Sequence, residues 1–577
     1  METWDWVIVV TYCLLITFLG LAFKKRAEGG IEAFFLSGRK LPWWLAGTSL
    51  VATSFASDTP LFVTSLVRTK GVAGNWDWWF MALASVASLF FFARLWRRAG
   101  IVTDMEFIEL RYGSGAGAFL RGAKAIFLGV VFNIYALGAW PVLGLTKVLE
   151  ESTTWSKGLA VLFCALLALL YSVFSGFWGV VATDFVQFFL SLLGATVLAV
   201  VAISATGGLG SFWEATQGFS ETQFLPAHTP DAFWSSPWIF FLSLVLVQWW
   251  ARGVEGDGMA VQRLSACKDE KHSFFAMLWF NIAHYAIRPW PWIMVALASM
   301  VLLPEVTNGL GVVDHERAYP RMIIEFLPVG LRGLVIASFF AAFMSTVDSH
   351  LNWGSSYVVN DVYRRFFKPD ADARHYVLVG RLVTVVLMMG GGLIAFFSSS
   401  IVEAFYNVLL LFSGVGLVGV ARWFWWRVNA WSEITAMLAS GILTLFVSHF
   451  CHMLNWPNTR PVHLGIVVIG STVTWLAVTF LTQPTSEATL KAFYEKVRPT
   501  GPGWKPIAPL CPQVTSSDSL MLNAIGWLAG VVLILGATMA IGKALLGFPF
   551  QASVFAITAV VGLFGVWFIF RKMKWNV

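Results

Sequence analysis

AAFMSTVDSH, residues 341–350, lies inside a long apolar run and places Ser345, Thr346, Asp348 and Ser349 within five positions. Hydrocarbon penalises each of these side chains, so each must face a group that satisfies it. On a helix Ala342, Ser345, Thr346 and Ser349 fall at i, i+3, i+4 and i+7 and share one face. Two hydroxyls and a nearby carbonyl on that face are hard oxygen donors suited to a small cation. The alternative is that each hydroxyl bonds back to the carbonyl four residues earlier. That does not satisfy Asp348, whose charge costs ~2.5–3.5 kcal/mol at the bilayer centre and less near a helix end.

The surrounding chain makes a membrane setting unavoidable. Its 577 residues are 58% hydrophobic and 12% charged, whereas soluble domains carry about 25% charged residues. Length alone would suggest several soluble domains, but apolar runs recur from end to end. Windows of about 20 apolar residues fall near 4–23, 42–68, 76–97, 120–149, 157–174, 177–204, 234–253 and 273–303. Further windows fall near 329–362, 375–397, 401–427, 432–452, 462–482, 521–544 and 551–571, about 15 spans in all. The stretches 206–232 and 484–519 are too polar to cross.

Cation placement sets the expected orientation. With the N-terminus outside and alternating spans, inner loops hold 28 of the 39 Lys and Arg, outer loops nine, and Arg288 and Arg381 lie within spans. The net charge of +7 therefore calls for no nucleic-acid partner. The basic cluster Lys24–Lys25–Arg26 follows the first apolar run, the reverse of a cleaved signal peptide, so that helix is expected to be retained. The five cysteines are scattered, with no CxxC or zinc-like spacing.

Ionisable groups within spans are functional candidates: Asp58, Asp77, Asp184, Asp348 and Arg288. ATSFASDTP (52–60) is a poor continuous helix. Pro60 lacks an N–H and disfavours helical geometry at Thr59, so a break is expected there, with carbonyls freed for a cation, a neighbouring helix or water. Asp184, in GVVATDFVQFF, needs a partner of its own: a cation, Arg288 or a hydroxyl.

FFLSGRKLPWWLAGTSL (34–50), GVVATDFVQ (179–187), VQRLSACKD (261–269) and AAFMSTVDSHLNWGSSYVVNDVYRRFFKP (341–369) together resemble the motifs of the sodium:solute symporter family, in the same order and over about residues 1–450. SGFWG (175–179) departs from the Gly–Gly pair usual in the family, and an acid at Asp58 is also unusual. The resemblance implies an all-α polytopic membrane protein with a five-plus-five inverted-repeat transporter core (LeuT-like) and accessory terminal helices. Its expected divisions are an accessory helix (1–30), a first repeat (31–205), an extracellular loop (206–232), a second repeat (233–430) and C-terminal accessory helices (431–577), with a cytoplasmic loop near 484–519.

By position, the resemblance implies a main sodium site from the carbonyls of Ala52, Phe55 and Ala342 with the hydroxyls of Ser345 and Thr346. A second sodium would take Asp184, Ser345, Asp348 and Ser349. Solute contacts would involve Ala56, Asp58, Thr59, Asp77, Trp250, Tyr285 and Arg288, although Arg288 could equally form a structural pair with an acid. The implied activity is sodium-coupled symport of a small organic solute by alternating access, with one or two Na+ ions transported rather than held as a prosthetic group. A bacterial inner membrane is the expected location, with membrane lipid as a further partner and no nucleic acid. Proton coupling and a solute-sensing homologue are the rival readings. A membrane enzyme has no supporting motif, since HExxH and a partnered GxSxG are both missing from the sequence.

Overall fold

The computed structural model describes residues 1–22, 36–54, 56–172, 177–217, 222–226, 233–309, 311–514 and 519–575. Among these residues the chain is helical apart from its connections, and β pairing is limited to two isolated bridges, Leu41 with Cys267 and Thr307 with Val313.

Ten described helices are long and apolar enough to cross a membrane: Val72–Ala99, Ala116–Ser152, Phe177–Ala205, Glu270–Leu302, Leu331–Phe367, Ala373–Phe397, Ala430–Met453, Arg460–Leu481, Leu520–Leu545 and Pro549–Lys572. Ile401–Phe412 and Gly416–Phe424, bent by 43°, form an eleventh candidate. The shorter apolar helices Thr3–Leu19, Lys157–Leu170 and Pro237–Ala251 and the interrupted pair Trp43–Thr53 and Thr59–Lys70 coincide with the remaining apolar runs of the sequence.

Burial sorts these helices. Leu331–Phe367 has 94% of its apolar window enclosed, against 22% for Ala430–Met453 and Pro549–Lys572. The first is therefore the central column, while the other two present apolar side chains outward, as lipid-facing helices do. The 177–205 helix packs on the column, and Gly194 leaves room there for Ser338, since a Cβ would lie 2.3 Å from Ser338 Oγ. The N-terminal helix is tied to the start of the column: the Asp5 carboxylate accepts from the backbone N–H groups of Gly330 and Gly333, both at 2.9 Å.

The helices also carry features that hydrophobic patterning does not announce. Widened π-helical turns interrupt them at Gly138–Val142 and Ile282–Ile287. Pro141 accounts for the first, because its ring and missing N–H disrupt the regular ladder. The polar stretch 484–519, expected as a loop, contains the helix Glu487–Val497, which buries Leu490, Phe493, Tyr494 and Val497. Phe493 meets Phe107 and Trp504 with centroids 5.5 Å apart in each case, and Trp504 Nε1 donates to the Trp423 carbonyl at 2.8 Å. The 487–497 helix is thus docked against Phe107 and Trp423.

Ion pairs close both ends. At one end Arg422 bridges Glu255 and Glu433 at 2.8 and 3.0 Å, and Arg98 pairs with Glu270 at 2.7 Å. At the other end Arg317 holds Glu150 and Glu151 at 2.8 and 2.7 Å, while Lys147 holds Glu316 at 2.7 Å.

Candidate functional site

The interruption expected at 52–60 is present. The first half-helix ends at Thr53, and the second begins at Thr59 with Pro60 in its first turn. A helix end inside the membrane leaves carbonyls without intrahelical partners, and two side chains from distant segments meet them. Arg288 donates to the carbonyls of Val51 at 2.7 Å and Ser54 at 3.0 Å. Thr346 Oγ1 donates to the Thr53 carbonyl at 3.1 Å. His284 Nδ1 lies 2.7 Å from Arg288 Nη2, so the π-helical turn that contains His284 also aims the guanidinium. Ala52, Ala342, Ser345 and Thr346 are all buried; Phe55 lies outside the described residues.

The C-terminal part of the break rests on the 116–152 helix. Ser57 Oγ donates to the Pro141 carbonyl at 2.7 Å. Gly144 faces Asp58 so closely that a Cβ would lie 2.5 Å from the Asp58 nitrogen. Asp58 Oδ1 is buried without a hydrogen-bond partner among the described residues.

A second polar cluster gathers around Asp184. Its carboxylate accepts from Ser49 Oγ at 2.5 Å and from Ser345 Oγ at 2.6 Å. The Ser345 hydroxyl therefore turns towards Asp184, while its neighbour Thr346 turns to the break. The partner demanded by Asp184 is not Arg288 but Arg263, whose Nη2 lies 3.4 Å from Oδ2. That nitrogen also donates to Thr53 Oγ1 at 2.6 Å and Ser349 Oγ at 2.7 Å, and Arg263 Nε donates to Ser49 Oγ at 2.9 Å. Asp348 is buried nearby and within electrostatic range of the guanidinium.

The expected solute residues are only partly gathered. Tyr285 stacks on Trp78 with centroids 5.9 Å apart, three residues before Arg288 and its caps on the break. Ala56 N–H reaches Thr59 Oγ1 at 3.4 Å, within the break itself. Asp77 is engaged elsewhere, by Lys70 Nζ at 2.5 Å and by the Tyr406 hydroxyl. Trp250 donates its indole N–H to Leu246 on its own helix at 2.8 Å, so its polar atom is satisfied locally. The sequence reading did not single out Arg263, Ser49, Thr53, His284, Lys70 or Tyr406. For Arg263 the available signal was the unmet demand of Asp184.

Among the described residues, an all-helical bundle with an interrupted helix packed on its central column, hydroxyl donors at the break and ion pairs at both ends defines a polytopic membrane transporter. The model of the Sodium:solute symporter family matches residues 34–439, and the chain belongs to that family. It is similar to the sodium/glucose cotransporter of Vibrio parahaemolyticus, 27% identical over 477 residues that cover 77% of this chain and 84% of that one. A sodium/mannose cotransporter of Bos taurus is 26% identical over 512 residues, 79% of this chain and 81% of the relative. The solved outward-open, substrate-bound structure of a Na+-coupled sialic acid symporter superposes with a TM-score of 0.69 at 20% identity, covering 84% of this chain and 99% of that one. The fold is the five-plus-five inverted-repeat core with accessory helices. The protein is a multi-pass membrane protein that couples transport of a small solute to sodium, and sodium is carried rather than held.

Proposed function

We propose that sodium binds where the interrupted helix meets the central column, on the carbonyls of Ala52, Phe55 and Ala342 and the hydroxyls of Ser345 and Thr346. One observation carries this reading: Thr346 Oγ1 already sits on a carbonyl freed by the break. An ion there joins one helix from each repeat (31–205 and 233–430), so filling the site couples the two halves. Sodium enters from outside and favours the outward-open state, solute follows, and the halves rock to release both inward. Each charge moved is worth ~2.3 kcal/mol per 100 mV, and coupling is reciprocal, so solute also tightens sodium binding.

The solute occupies the space beside the break, against Ala56, Thr59, Tyr285 and Arg288, with Asp58, Asp77 and Trp250 as further contacts reached during the cycle. Glucose, mannose and sialic acid name the relatives, so sugars come first among the solutes to test. The N-terminus lies outside, the C-terminus and the docked 484–519 segment lie in the cytoplasm, and the membrane is a bacterial inner membrane.

A second reading, proton coupling, is favoured by the unpartnered oxygen of Asp58. Uptake driven by a pH gradient in sodium-free buffer would establish it. The main reading is tested by thermal stabilisation of purified protein with a solute panel, with and without Na+. Stabilisation by a sugar that requires sodium supports it, whereas sodium-independent stabilisation counts against it.

A further inference from the structure

The Asp184 cluster joins three helices. Ser49 and Thr53 come from the inner half of the interrupted helix, Asp184 from the 177–205 helix, and Ser345 and Ser349 from the central column. The carboxylate of Asp184 and the hydroxyls of Ser345 and Ser349 form a buried donor set for a small, hard monovalent cation, bordered by Ser49 and Thr53. A cation is already there, supplied by the chain. The side chain of Arg263 is 1% exposed and that of Asp184 is fully enclosed, and the guanidinium reaches Ser49, Thr53, Ser349 and Asp184 together.

Arg263 is brought in by a fourth element, the short helix Gly258–Ala266. Asp257 caps its start by accepting from the Ala260 N–H at 2.9 Å, and the bridge between Leu41 and Cys267 fixes its end. The long side chain therefore has a rigid base, and its tip is held by Ser49, Thr53 and Ser349.

Asp184 needs a counter-charge, because a lone buried carboxylate is strongly disfavoured. Asp348 is a second carboxylate within electrostatic range of the guanidinium, so the oxygens limit the site: Arg263 Nη2 already holds those of Ser349 and Asp184. Unit charges about 4 Å apart repel by about 4 kcal/mol at an effective dielectric constant of about 20. Sodium and guanidinium are thus alternative occupants of the same oxygens.

We propose that the guanidinium of Arg263 is a tethered competitor for the cation position between Asp184, Ser345 and Ser349, holding it in the ion-free state and yielding it when sodium enters. This rests on the sodium-coupled reading above and extends it. Displacement also frees Ser49 and Thr53, so ion entry loosens the tie between the interrupted helix and the 258–266 helix. Arg263 acts here as a positioning residue for the ion.

Equilibrium binding of radioactive sodium alone to the purified full chain, near pH 8, tests the proposal. The sodium component that depends on Asp184 is defined as the part lost in Asp184→Asn. In Arg263→Gln its affinity should rise on the order of tenfold, within the range of couplings of this kind. Thr53→Val removes one anchor of the guanidinium without changing any charge, and should raise the affinity in the same direction but less. Arg263→Lys, which keeps a cation but loses the planar fork, should fall between wild type and Arg263→Gln. The proposal is overturned if Asp184→Asn changes sodium binding in no background. It is equally overturned if Arg263→Gln and Thr53→Val leave the Asp184-dependent affinity unchanged or weaker. Thr346→Ala separates this from the main-site reading, since it should weaken only the component that survives Asp184→Asn.

Discussion

Thr346 Oγ1 donates to the carbonyl of Thr53 at 3.1 Å, across 293 residues of sequence. This contact sets a hydroxyl of the central column against backbone released by the interruption between Thr53 and Thr59. Loss of a hydroxyl that ligates an ion costs about 1.5–3 kcal/mol, the range for a polar contact to a charge. Thr346→Ala should therefore raise the half-saturating sodium concentration by about one to two orders of magnitude, while Thr346→Ser should remain close to wild type. Sodium titration of binding or uptake provides the check, and an unchanged sodium dependence in the alanine variant removes the proposed site.

Arg288 caps the same break through Val51 and Ser54. Two charge-assisted bonds end in Arg288→Ala, and two carbonyls are left buried, so stability should fall by about 3 kcal/mol or more. Arg288→Lys should restore part of the loss, because an ammonium donates but cannot fork across two carbonyls. Thermal unfolding in detergent distinguishes the two. Equal melting of wild type and the alanine variant would mean that the cap contributes nothing.

Gly144 leaves no room for a side chain, with a Cβ only 2.5 Å from the Asp58 nitrogen. Gly144→Ala should lower stability by about 1–3 kcal/mol through overpacking and should disturb sodium binding by displacing the break. Gly441, whose Cβ would meet open space, is the matched control. Alanine there should be neutral or stabilising by up to about 1 kcal/mol.

Asp104 lies in the connection between the 72–99 and 116–152 spans and accepts from the Tyr357 hydroxyl. Burial raises its carboxyl from 3.8 to about 6, with the Tyr357 bond opposing the shift. Between about pH 4 and 6 the folded protein therefore holds a proton that the unfolded chain releases. The stability contributed by this group falls as pH rises through that window, by up to about 3 kcal/mol. Asp104→Asn should flatten this part of the stability profile measured from pH 4 to 7, and an identical slope in both proteins would refute the assignment.

The reach of the sequence shows best at particular residues. Pro60 announced the break, and its location held within a few residues. Arg288 was legible as a charge needing a partner, but the alternatives weighed for it were an acid or a solute, whereas its guanidinium caps backbone carbonyls that no side-chain inventory records. Leu490, Phe493, Tyr494 and Val497 stand at helical spacing, yet the polarity around them read as a loop. Only the docking surface offered by Phe107 and Trp423 gives that short helix a face to bury. Asp77 was read as a solute contact, and Lys70 reaches it from across the turn at Gly71.

The sequence by itself determined that the chain crosses a membrane many times, that one apolar run is a poor continuous helix, and that hydroxyls and acids stand within apolar runs. Those follow from the cost of exposing polar groups to hydrocarbon, which depends only on residue type and local spacing. The tertiary structure alone decided which groups meet. A buried carboxylate must find a cation, but nothing local specifies whether it is an ion or an arginine 79 positions away, as Arg263 is from Asp184. Helix crossings set that choice, because they fix which side chains can reach one another where water is excluded.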